Sequence, residues 1–108
     1  EPTMVEITPR ELKEKLDRGD DFVLVDVREP HELEIAQIPG AVLVPLGTLP
    51  ARADELDPDA EIVLMCRSGR RSADALAFLQ GRGFTRLANL RGGILAWADD
   101  VDPTVAKY

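Results

Sequence analysis

One cysteine, one histidine, one tryptophan and one tyrosine are all that the 108 residues hold of the side chains most used for redox pairing, metal ligation and ligand stacking. A single thiol closes no internal disulfide, and with His31 as the sole imidazole there is no Cys/His metal constellation. Carboxylates are plentiful, yet none shows the convergent spacing of a metal or glycosidase site, and a solvated face accounts for them. No apolar run approaches the roughly 18 residues of a membrane span, and no signal-peptide pattern opens the chain. Basic residues are the minority, 13 Lys and Arg against 20 Asp and Glu for a net charge of -7. Most of the surface would therefore repel a phosphate backbone, which argues against general nucleic-acid binding. Internal repeats and low-complexity segments are absent. What is left, 44% hydrophobic and 31% charged, is the composition of one globular domain with a modest core. Its expected compartment is the cytoplasm.

Against that acidic background one stretch inverts the local sign. The apolar run Ile62-Val63-Leu64-Met65 reads as a buried strand and ends in Cys66. A short turn, Arg67-Ser68-Gly69-Arg70-Arg71, then enters a helix whose expected cap is Ser72. Successive amides in such a turn can face one concavity, and the first turn of the helix adds unpaired donors and partial positive charge. A thiolate fits there. A free cysteine titrates near about 8.5, so holding it largely ionised at neutral pH takes roughly 2.7 kcal/mol. A helix terminus supplies about 0.3 to 1 kcal/mol, and the loop amides with Arg67, Arg70 or Arg71 must supply the rest. Three converging guanidiniums would repel one another, so some of these arginines are expected to face outward. In an arbitrary protein a lone cysteine closing a buried strand is an inert core residue. Here the basic turn places it at the carboxyl end of a strand, where open parallel sheets bind ligands.

The rest of the chain alternates strand and helix. Val5 and Ile7 suggest a short edge strand, and Thr8-Pro9-Arg10-Glu11 reads as a capping box for a helix that Gly19 ends. Phe22-Val23-Leu24-Val25 lacks alternation, as a strand buried on both faces does, and Asp26 and Arg28 leave its end. Glu29 to Glu34 reads as a short acidic helix with His31 exposed. Ala41-Val42-Leu43-Val44 reads as another buried strand, and Leu49 to Leu56 as a helix stopped by Asp57-Pro58. The helix after the loop should be mostly covered and end at Gly81 to Gly83. Thr85-Arg86-Leu87-Ala88 is a weak last strand, after which Gly92-Gly93 lets a final helix start close to other backbone, with Trp97 as a packing anchor. Residues 1–4 and 101–108 read as terminal extensions of a single domain spanning 1–108. This order predicts an α/β sandwich, a central parallel sheet with helices on both faces.

The pattern Cys66-x-x-Gly69-x-Arg71-Ser72 resembles the active-site loop of rhodanese-type sulfurtransferases. Asp26-Val27-Arg28-Glu29, Ile38-Pro39-Gly40-Ala41 and Gly92-Gly93-Ile94-Leu95-Ala96-Trp97 resemble further landmarks of that family, in the same order. Gln37 departs from it, standing where many members place a histidine, and is taken as a structural polar contact. The resemblance implies a three-layer sandwich around a mostly parallel five-stranded sheet. It implies Cys66 as the carrier of sulfane sulfur in a persulfide, with Arg67, Ser68, Gly69, Arg70, Arg71 and Ser72 as the anion-binding loop and Asp26 and Arg28 bracing its rim. The carrier being covalent, no metal and no organic cofactor is implied. The donor would be thiosulfate or a persulfide protein, and the acceptor a thiol, cyanide or a sulfur-carrier protein. The segment from Gly92 to Tyr108 also resembles the carboxyl-terminal domain of adenylyltransferase/sulfurtransferase fusions, which serve adenylated ubiquitin-like carriers in molybdopterin, cysteine or thiolated-tRNA synthesis. A start at Glu1 rather than methionine agrees with a domain cut from a longer polypeptide.

Two rival readings stand beside this one. Cysteine phosphatases of the same fold place five residues between cysteine and arginine, whereas four separate Cys66 from Arg71; arsenate reduction belongs to the same rival class. The other rival is a rhodanese-like module that docks partners without catalysis.

Overall fold

Alternate residues of an extended chain point to opposite sides, and two unbroken apolar runs therefore each feed two cores. The computed structural model describes residues 5–108, so the extension expected at 1–4 lies outside the described residues. The elements follow as β1 (Glu6–Ile7), α1 (Pro9–Arg18), β2 (Val23–Asp26), α2 (Pro30–Leu33), β3 (Val42–Leu43), α3 (Leu49–Arg52), β4 (Ile62–Met65), α4 (Arg70–Gly81), β5 (Leu87–Leu90) and α5 (Gly93–Asp100). The strands form one five-stranded sheet in the order β1-β5-β4-β2-β3, every pairing parallel.

β2 and β4 sit centrally, Val23 opposite Ile62 through to Asp26 opposite Met65. From them Val25, Ile62 and Leu64 face a core shared with Leu49 of α3 and Ala75, Leu76 and Leu79 of α4. Leu24, Val63 and Met65 face the other core, with Leu12 of α1 and Ile94 and Trp97 of α5. Each such side chain contributes about 1.5–3 kcal/mol when fully buried. The sheet is thus covered by helices on both sides, as the alternating pattern predicts.

Several elements differ from their sequence reading. The strand expected over Ala41 to Val44 shrinks to Val42–Leu43, because it pairs only with β2 at the sheet edge and Val42 stays 47% exposed. The helix expected from Leu49 to Leu56 is broken into α3 and a 3-10 turn (Ala53–Glu55), and another 3-10 turn (Leu46–Thr48) precedes it. The last strand is displaced toward Leu90, since Leu87 and Leu90 reach the cores while Thr85 and Arg86 are exposed. Helix α4 is covered on one side only, with Ala77 and Gln80 exposed. The segment 101–108, read as an extension, folds back instead: Val101, Val105 and Tyr108 pack against the core beside α5.

Asp26 and Met65 close their strands side by side, and the chain beyond each builds the rim of one site at the carboxyl edge of the sheet. That edge is where such sheets hold ligands.

Candidate active site

Met65 is the last paired residue of β4, and the next one, Cys66, begins a loop that hands the chain to α4. The hand-over is made by Gly69, which caps α4 with φ of 101°, a conformation that side chains with a Cβ resist. Gly69 is therefore the cap, and Ser72 is not: Ser72 lies inside the first turn, fully buried. The turn aims its amides at the sulfur. Gly69 N–H donates to Cys66 Sγ at 3.1 Å, and the amides of Ser68 and Ser72 add to it. Burial pushes the thiol up; the Ser72 hydroxyl and these three amides outweigh it and hold Cys66 below the ordinary thiol range. Cys66 itself is only 1% exposed, so the sulfur is the floor of the loop and not a surface thiol.

Ser72 Oγ lies 3.4 Å from Cys66 Sγ and 2.5 Å from Asn89 Oδ1. One hydroxyl proton serves one acceptor at a time, so Asn89 and the sulfur compete for it. The Asn89 amide is oriented by its Nδ2, which donates to Gly69 O at 2.9 Å, tying β5 to the apex of the loop.

From beneath, α5 fixes the loop carbonyls. Ile94 N–H donates to Cys66 O at 2.9 Å and Leu95 N–H to Arg67 O at 3.1 Å. The approach needs Gly93: a Cβ there would collide with the Cys66 and Arg67 carbonyls. With those carbonyls turned toward α5, the donors of the loop are left to the sulfur.

The three loop arginines have three different fates. Arg71 forms a two-toothed pair with Glu32, at 2.7 Å and 2.9 Å. Glu32 is buried in α2, and the Arg71 hydrogen bonds carry its pKa down to about 2 against the pull of burial, helped by the Glu29 amide and the Tyr108 hydroxyl. The same pairing raises Arg71. Arg67 lies against the Tyr108 ring, 5.2 Å from its centre, with its Nε–H donating to Tyr108 O. Arg70 is exposed and has no ion pair among the described residues.

Behind this rim Asp26 and Arg28 form a buried pair, not a surface one. Arg28 is 0% and Asp26 1% exposed; Arg28 Nε and Nη2 reach the Asp26 carboxylate at 2.8–3.1 Å. Nη2 also donates to Ala36 O at 2.8 Å and Nη1 to Tyr108 Oη at 2.8 Å. Burial opposes the charge on Arg28, and Asp26 and Tyr108 together outweigh it. The Tyr108 hydroxyl in turn donates to Glu32 Oε1 at 2.7 Å, which links Asp26, Arg28, Tyr108, Glu32 and Arg71 in one chain of contacts.

The structure joins Cys66, Arg67, Ser68, Gly69, Arg71, Ser72, Asp26 and Arg28 through the contacts above and adds Glu32, Asn89 and Tyr108, while Arg70 stays exposed. Glu32 carried one legible sign, its place three residues after Glu29 in a capping box; Asn89 and Tyr108 carried none. Gln37, expected in a polar contact, is exposed and makes no side-chain hydrogen bond among the described residues. His31 is exposed, as read from the sequence. Among the described residues no His, Cys, Asp and Glu cluster could hold a metal.

The model of the rhodanese-like domain family matches residues 8–100. The chain is a rhodanese-like domain. A sulfurtransferase of Allochromatium vinosum is 43% identical over 101 residues, covering 94% of both chains. The probable adenylyltransferase/sulfurtransferase MoeZ of Mycobacterium tuberculosis is 42% identical over 104 residues, which are 94% of this chain but 26% of that protein. Among solved structures, a rhodanese-like domain protein from Staphylococcus aureus superposes with a TM-score of 0.83 at 31% identity, covering 97% of this chain and 99% of that one. The rhodanese-like fold, a parallel sheet between helical layers, is therefore shared with these proteins, and the chain is of the rhodanese sulfurtransferase type. Relatives such as MoeZ carry the domain inside longer polypeptides.

Proposed function

We propose that this rhodanese-like domain carries sulfane sulfur on Cys66 as a persulfide. The observation that carries the reading is the set of amides converging on Sγ, headed by Gly69 N–H at 3.1 Å. In the first step the Cys66 thiolate attacks the outer sulfur of thiosulfate. The new sulfur–sulfur bond takes the place of the one broken, sulfite leaves with the bonding pair, and the charge resides on the terminal sulfur of Cys66–S–S⁻. A donor persulfide would react likewise, releasing its own thiolate. In the second step a nucleophilic acceptor, a thiol or cyanide, attacks the terminal sulfur and restores the Cys66 thiolate. Toward an adenylated carrier terminus the terminal sulfur is instead the nucleophile, expelling AMP to form an acyl disulfide that two thiol equivalents reduce to the carrier thiocarboxylate, the Cys66 thiolate and a disulfide. A depressed pKa raises the thiolate fraction and makes Cys66 a better leaving group in the second step.

Of the loop arginines, Arg70 meets the anionic donor, Arg71 braces the loop through Glu32, and Asp26 and Arg28 support the rim. The carrier is covalent, so the reaction needs no metal and no organic cofactor. The domain works in the cytoplasm as part of a longer polypeptide, a reading supported by relatives in which it is one quarter of a fusion. Its acceptor there is an adenylated carrier protein.

Incubation with thiosulfate followed by intact-mass measurement tests the reading. A reducible gain of one sulfur, absent in Cys66→Ala, is expected; no adduct from thiosulfate or any persulfide donor would leave a docking module. Hydrolysis of an aryl phosphate without sulfur loading would show that four intervening residues suffice for phosphatase chemistry.

A further inference from the structure

Tyr108 touches both the rim pair behind the loop and the loop arginine Arg67. The tail is a built element. Val101 and Asp102 N–H both donate to Trp97 O, at 2.9 Å and 3.0 Å, and Thr104 Oγ1 donates to Asp102 Oδ1 at 2.6 Å. Lys107 pairs with Asp99 at 2.7 Å. These contacts fold the chain back along α5, and Val105 and Tyr108 pack on the core there. Its end arrives at the mouth of the loop. The Tyr108 hydroxyl is fixed between Arg28 and Glu32, at 2.8 Å and 2.7 Å. Its ring underlies Arg67, and its main-chain oxygen accepts a hydrogen bond from Arg67 Nε–H.

Arg67 is exposed, and without this docking nothing among its contacts would keep its guanidinium from turning toward an anion at the loop. We propose that Tyr108 is a specificity-determining positioning residue: by occupying Arg67 it leaves Arg70 as the free loop cation, and so weakens the site's preference for a small dianion relative to a singly charged persulfide donor. The proposal rests on the sulfur-transfer reading for its substrates, but the charge at the mouth can be measured without any sulfur donor. Each further unit charge about 4 Å from an anion changes its partition about fivefold in water.

The experiment compares alkylation of Cys66 by iodoacetate, an anion, with alkylation by neutral iodoacetamide in the full chain. Tyr108→Ala is expected to raise the iodoacetate-to-iodoacetamide rate ratio about fivefold. It should also lower KM for thiosulfate. Both effects should vanish when Arg67→Gln is already present. An unchanged ratio overturns the proposal, and so does an equal rise in the Arg67→Gln background, which would mean a loosened loop and not a released guanidinium. Should Tyr108→Ala fail to fold, proton exchange at arginine Nε in the native protein decides: slower exchange at Arg67 than at Arg70 supports the docking, and equal exchange overturns it. Absence of sulfur loading from thiosulfate and from any persulfide donor, with the expected change in alkylation ratio, would sink the sulfur-transfer reading and leave the role of Tyr108 standing. Turnover with an unchanged ratio would do the reverse.

Discussion

The proton of Ser72 has two claimants, Cys66 Sγ at 3.4 Å and Asn89 Oδ1 at 2.5 Å. Ionisation of the sulfur shifts that competition, because a charged acceptor holds a donor more tightly than a neutral one. Ser72→Ala removes the donor and leaves the amides, so the Cys66 pKa is expected to rise toward the ordinary thiol value. Fewer thiolates then exist at neutral pH, and the midpoint of a pH profile of iodoacetamide alkylation moves up; a midpoint that stays put would show that the amides alone set it. At this scale the cysteine and the arginines were legible, because a sign inversion in an acidic chain is visible in the sequence. Ser72 was placed in the site but given a cap's role, since serine before a helix usually caps it and only the φ of Gly69 shows where the helix starts. Asn89 was hidden by a displaced strand boundary: with the strand read as Thr85 to Ala88, it fell outside.

Between elements, the tightest contact is that of α5 with the loop. Adding a methyl group at Gly93 would force the Cys66 and Arg67 carbonyls aside. Gly93→Ala is therefore expected to lower stability by about 1–3 kcal/mol and to reduce sulfur loading at least tenfold even where the protein remains folded. Gly69→Ala meets no atom nearer than 3.5 Å and bears only the strain of its positive φ, about 1–2 kcal/mol. Denaturant midpoints and loading measured on the two variants separate them: loss of loading out of proportion to stability belongs to Gly93. The Gly-Gly pair announced a close backbone approach in the sequence. Which backbone it approaches was not legible, because the partner lies across a crossover. The edge strand was overread for a related reason: periodicity cannot tell whether an apolar run will gain a second neighbour, and Val42 does not.

Across the whole molecule, two ion pairs of different burial hold the rim. Asp26→Ala would strand the Arg28 charge where it is 0% exposed, at a cost of about 3–5 kcal/mol; urea unfolding reads this directly. Glu32 contributes differently with pH. Its folded pKa is depressed from 4.5 to about 2, so its contribution, up to about 3 kcal/mol, is fully present above about pH 4.5 and is lost as pH falls toward 2. Glu32→Gln should lower stability at neutral pH and flatten the acid limb of the stability curve. The three-layer architecture was legible because strand and helix periods alternate cleanly along the chain. The network from Asp26 to Arg71 was not, because it is closed by Tyr108, a single residue in a stretch without period, touching partners many residues away. Long-range polar contacts leave no local trace in a sequence, whereas apolar repeats do.

The carbonyls of Cys66 and Arg67 find their donors on α5, the last helix among the described residues. A nascent chain halted before Gly92 lacks those donors, and its loop has no reason to present its amides inward. The depressed pKa of Cys66 is thus acquired only once α5 has been made and has docked under the loop.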